Sequence, residues 1–101
     1  MRKVIKGRKY DTDTASRVYS WGNGKYPSDF RWQRETLYLK STGEFFLHGE
    51  GGGLSPYAHY YGNGRGEGEK IIPMTIVEAQ RWVEDHADYE VYVDLFGEPE
   101  E

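Results

Sequence analysis

Between residues 35 and 48 apolar and polar side chains alternate. In ETLYLK, Leu37 and Leu39 point one way, and Thr36, Tyr38 and Lys40 point the other. In EFFLH, Phe45 and Leu47 share one face, and Phe46 and His48 share the opposite one. Ser41-Thr42-Gly43-Glu44 between them is turn-forming, so the pattern predicts a β-hairpin over 35–48. EKIIPM supplies another strand over 69–73, with Pro73 at a strand end or an edge because proline has no N–H to donate. KVIKGRKY at 3–10 divides into two short strand pieces around Gly7, which makes the N-terminal strand a candidate addition to the sheet.

Elsewhere the spacing changes. Ala15, Val18 and Tyr19 fall at i, i+3 and i+4 behind Thr12 or Asp13 as a cap, and Gly22-Asn23-Gly24 follows, so a short helix is expected near 13–20. Thr75 with Glu78 three residues later forms a capping-box pattern. It opens a helix over 75–87, whose broad face carries Ile76, Ala79, Trp82, Val83, His86 and Ala87. YEVYVDLFG fits two periods: Tyr89, Val91, Val93 and Leu95 alternate as in a strand, whereas Tyr89, Tyr92, Val93 and Phe96 suit a helix. Asp88 as cap and Gly97 as stop favour a helix over 88–96.

The stretch HGEGGGLSPYAHYYGNGRGEGEK, 48–70, holds eight of the thirteen glycines. It lacks the Walker spacing, and Gly62-Asn63-Gly64 meets Glu67 where a dinucleotide fingerprint needs glycine. Nucleotide binding is therefore not expected. His48, Glu50 and His59 are a conceivable zinc set or proton-carrying group, but their spacing matches no local metal motif, and no Gly-x-Ser-x-Gly element is present. Ser55-Pro56 followed by Tyr57, Tyr60 and Tyr61 reads as a two-turn helix over 55–61 inside a long connection. No catalytic residue, metal or cofactor is assigned.

Composition adds limits. The 101 residues suit one α+β domain, and 16% aromatic content offsets a modest 37% apolar share. With no cysteine, disulfides and thiolate metal sites are excluded. The basic start is followed by no apolar run, so neither a signal peptide nor a membrane span is expected, and the protein should be soluble and cytoplasmic. The net charge of −4 conceals an imbalance: residues 1–40 carry ten Lys/Arg against four Asp/Glu, and residues 41–101 carry three against thirteen. Two surfaces follow as candidates. Glu78, Glu84, Asp85, Asp88, Glu90 and Asp94 form an acidic face suited to a basic groove on a protein partner. Lys25, Arg31, Trp32 and Arg34 interleave cations with rings in the manner of a single-strand nucleic-acid site, although the acidic half opposes a polyanion.

YDTDTA (10–15), ETLY (35–38), FFLHGEGG (45–52), SPYA (55–58), GEKIIPMTIVEA (68–79) and FGEPEE (96–101), in this order, resemble a family of small proteins of bacteria, mostly Firmicutes, and of their phages and mobile elements. The resemblance spans nearly the whole chain and carries no assigned activity or site residue. In size, charge and setting it is similar to anti-CRISPR proteins, and so implies a non-enzymatic inhibitor of a host defence nucleoprotein such as a CRISPR–Cas effector. A small nucleic-acid-binding regulator using residues 25–34 is the alternative. The expected fold is α+β, an antiparallel sheet built on the 35–48 hairpin and strand 69–73, packed with short helices. The expected core is Val18, Leu37, Leu39, Phe45, Leu47, Ile71, Trp82 and Val83.

Overall fold

A computed structural model describes residues 1–101. It is an α+β fold in three layers. The central layer is an antiparallel sheet of β3 (Ser16–Gly22), β4 (Gln33–Leu39), β5 (Phe45–Gly51) and β8 (Gly68–Met74), in spatial order β3-β4-β5-β8. On one side lies a separate hairpin, β1 (Arg2–Ile5) with β2 (Arg8–Asp11). On the other side lie α1 (Ile76–His86) and α2 (Tyr89–Phe96). A small hairpin, β6 (His59–Tyr61) with β7 (Gly64–Gly66), projects from the connection between β5 and β8. No helix is long and apolar enough to cross a membrane.

The expected β4–β5 hairpin forms with Leu37 opposite Leu47 and Tyr38 opposite Phe46. Three consecutive residues are buried in each strand, Thr36–Leu37–Tyr38 and Phe45–Phe46–Leu47. Consecutive burial means that both sheet faces are covered. Leu37, Phe45 and Leu47 pack with Ala79, Trp82 and Val83 of α1. Tyr38, Phe46 and Ile71 pack with Tyr10 of the N-terminal hairpin, where the Tyr10 ring meets Phe46 edge-on at 5.5 Å and the Tyr38 ring stacks on Phe46 at 5.1 Å. Of the expected core, Val18 and Leu39 are only half-buried, and Ile71 belongs to the hairpin side.

Three sequence expectations need correction. The helix near 13–20 is strand β3. Val18 is an extra residue in a bulge, since Arg17 opposes Tyr38 while Tyr19 already opposes Leu37. The bulge breaks the alternation and produces a helix-like spacing in the sequence. Tyr19 and Trp21, two residues apart, both face the helices, with rings 6.3 Å from Trp82 and 4.6 Å from His86. The helix over 55–61 is a single turn, in which Ser55 Oγ accepts from Tyr57 N at 3.2 Å, followed by β6. Finally, the N-terminal strand pairs only within its own hairpin and not with the main sheet.

The helical end follows the sequence closely. Thr75 Oγ1 accepts from Glu78 N at 3.1 Å, and Glu78 Oε1 accepts from Thr75 N at 2.8 Å, completing the capping box. The 88–96 segment is helical, with Asp88 at its N-cap and Gly97 at its C-cap. Pro73 sits in β8, an outer strand.

Candidate functional site

The layering separates charge. The N-terminal hairpin presents Arg2, Lys3, Lys6, Arg8 and Lys9 on one side of the sheet. On the opposite side, residues 76–101 carry nine carboxylates and one basic residue, Arg81. All six acidic positions singled out from the sequence are exposed. None of them lies within 4.0 Å of a lysine or arginine nitrogen; the ion pairs of the protein are Arg8–Glu44, Lys9–Asp11, Arg34–Glu50, Lys40–Glu44 and His48–Glu69.

The six do not form one continuous row. Glu78 and Asp85 stand two turns apart on one flank of α1, with Arg81 between them. Glu78 is already engaged at the helix start, and the backbone N–H of Thr75 is the main reason its carboxyl titrates below the ordinary carboxylate value, with the Thr75 hydroxyl next. Glu90 and Asp94 are one turn apart on α2. Glu84 and Asp88 are among the residues lining a cavity of about 300 Å³ between α1, α2 and the chain after α2. The sequence grouped these residues by sign; the folded helices divide them by direction.

The basic-aromatic segment is also divided. Lys25 and Arg31 are exposed, whereas Trp32 is half-buried. The Arg34 guanidinium lies 5.8 Å from the Trp32 ring centre and donates to Glu50 through Nε at 2.8 Å. Asp29 stands among these cations and accepts from Arg31 N at 2.8 Å. His48, Glu50 and His59 go to different neighbours. His48 Nε2 is 3.0 Å from Glu69 Oε1, Glu50 holds Arg34, and the exposed His59 ring lies 6.1 Å from that of Tyr61. They converge on no shared point, and no trio of His, Asp and Glu in the chain is arranged to hold a metal ion.

Sequence reading missed one polar centre. Glu35 is in phase with Leu37 and Leu39 and so points beneath the helices. Its Oε1 accepts from Trp82 Nε1 at 2.8 Å and its Oε2 from Gln33 Nε2 at 3.3 Å; the Tyr57 hydroxyl donates to the same carboxylate. Burial first, and then the Glu35 carboxylate, push the Tyr57 phenol well above the ordinary tyrosine value. The glycines around it make room. A Cβ on Gly49 would stand 2.5 Å from the Tyr57 hydroxyl oxygen and closer still to the ring, and a Cβ on Gly68 would stand 2.8 Å from His59 N. The glycine-rich stretch thus closes the connection tightly against β5 and β8. A charged residue in phase with core positions was the available signal for Glu35.

Neither family models, nor curated proteins, nor solved structures gave a match to this chain.

Proposed function

We propose that this protein is a non-enzymatic inhibitor that presents its acidic helical layer to a basic groove on a partner protein, of the kind that otherwise holds nucleic acid, as in a CRISPR–Cas effector. The observation that carries this reading is the set of exposed carboxylates on α1 and α2 with no lysine or arginine within ion-pairing distance. A layer whose nine carboxylates are set against a single arginine, Arg81, favours a positively charged counter-surface, both by steering the encounter and by fixing register. Segregation of the basic hairpin to the far side of the sheet strengthens the field on the acidic side, because cations a sheet's thickness away are screened within about one Debye length, ~8 Å, at physiological salt.

The test is a target-DNA binding assay with a panel of guide-loaded CRISPR effectors, with and without the protein. Inhibition should weaken as salt rises. A folded variant carrying E84K, D85K, E90K and D94K should need at least about tenfold more protein for the same effect. Equal inhibition by this variant would end the acidic-layer reading, and failure to affect any effector would end the assignment of partner.

A further inference from the structure

We propose that the cavity between α1, α2 and the chain after α2 receives one arginine side chain of the basic partner. This rests on the acidic-layer reading and adds a specific receptor to it. Val83, Ala87 and Tyr92 line the cavity, with Tyr89 and Pro99 as further walls. An arginine stem needs such apolar surface for its methylenes, and its planar head favours an aromatic neighbour. Glu84 and Asp88 are the two carboxylates of the lining. A forked guanidinium can bridge two carboxylates, which the compact ammonium of lysine does less well.

Two details show that the cavity is organised. Asp88 occupies the N-cap of α2, a position where aspartate ordinarily accepts a backbone N–H of the first turn, yet its side chain makes no capping bond. Its carboxylate is therefore not engaged by the helix, and the residue lines the cavity. The Tyr89 hydroxyl donates to Glu98, which ties the chain after α2 to the helix and fixes the wall that includes Pro99. That hydrogen bond is also the main reason the Tyr89 phenol titrates above its ordinary value. Glu98 is thereby partnered, and Glu84 and Asp88 remain as the open acceptors.

The experiment uses fluorescein-labelled nona-arginine and nona-lysine, titrated by anisotropy at low salt against the full chain. One variant, E84Q/D88N, removes the cavity carboxylates; asparagine keeps capping ability at position 88. A control, E90Q/D94N, removes equal charge from α2 outside the cavity. Circular dichroism verifies that both are folded. The wild type should prefer nona-arginine about fivefold or more, the cavity variant should lose that preference with about tenfold in affinity, and the control should lose no more than about twofold and keep the preference. Equal binding of the two peptides, or equal loss in both variants, overturns the receptor and leaves a diffuse acidic layer standing. If neither peptide binds the wild type, the acidic-layer reading falls with it.

Discussion

Adding one methyl group at Gly49 tests the closure of the connection on β5. Its Cβ would occupy the place of the Tyr57 ring, which is 5% exposed. Neither neighbour can yield easily, since Gly49 is paired on both sides, with Glu35 and with Lys70. The ring must therefore swing out. Exposing half of a tyrosine's ~200 Å² of buried area at ~25 cal/mol per Å² costs about 2.5 kcal/mol. Losing the hydrogen bond to the Glu35 carboxylate costs a further ~1.5–3 kcal/mol. Alanine's smaller unfolded-state entropy offsets ~0.5–1 kcal/mol. Gly49→Ala should thus destabilise by about 3–5 kcal/mol, a large share of the ~5–15 kcal/mol typical of a domain. Urea denaturation followed by fluorescence of Trp21, Trp32 and Trp82 measures it. The decisive comparison is a double-mutant cycle. With Tyr57→Ala the space is vacated, so Gly49→Ala should then cost no more than ~0.5 kcal/mol, giving a coupling of about 2.5–4.5 kcal/mol. A loss under 1 kcal/mol in the wild type, or the same loss in both backgrounds, would refute the steric argument.

Two further outcomes are expected. The folded state holds the Tyr57 proton past the ordinary value of 10.0, whereas the unfolded chain releases it there. Tyr57 therefore contributes stability that is present below about pH 10 and lost above it. Tyr57→Phe should be less stable at neutral pH by about 1.5 kcal/mol and decline less steeply in alkali. Parallel pH profiles for the two proteins would contradict this. Separately, Lys6 has φ +52° and Gly7 φ +78° in the two-residue turn joining β1 and β2, a conformation that prefers Asn-Gly. Lys6→Asn should raise stability by about 0.5–1 kcal/mol in the same urea assay, and a loss would show that the turn does not limit the hairpin.

What could be read from the chain was whatever local periodicity controls. Leu37, Leu39, Phe45 and Leu47 alternate because β4 and β5 are regular, and Thr75 with Glu78 caps α1 through contacts three residues apart. Where the sheet departs from regularity, reading failed. The Val18 bulge made β3 look helical, although its β-branched and aromatic content pointed to a strand. Tyr57, Tyr60 and Tyr61 looked like one helical face, yet Tyr57 turns inward while Tyr60 and Tyr61 turn out to solvent. The Gly62-Asn63 pair between two short runs was the overlooked hairpin signal. Of the acidic residues, composition gave the sign and the helix period only a partial direction. That Glu84 and Asp88 share a cavity depends on the turn at Ala87–Asp88 and on the path of residues 97–99, which no periodicity encodes.

The rims of the main sheet carry one more consequence. An open sheet offers its outermost backbone groups as a template on which a neighbouring molecule can add a strand and begin a fibre. Here one rim, β3, is bent by the bulge at Val18, and the other, β8, contains Pro73, which has no N–H to lend. Neither rim is a straight, fully donating ladder, so both flanks of the main sheet resist edgewise growth.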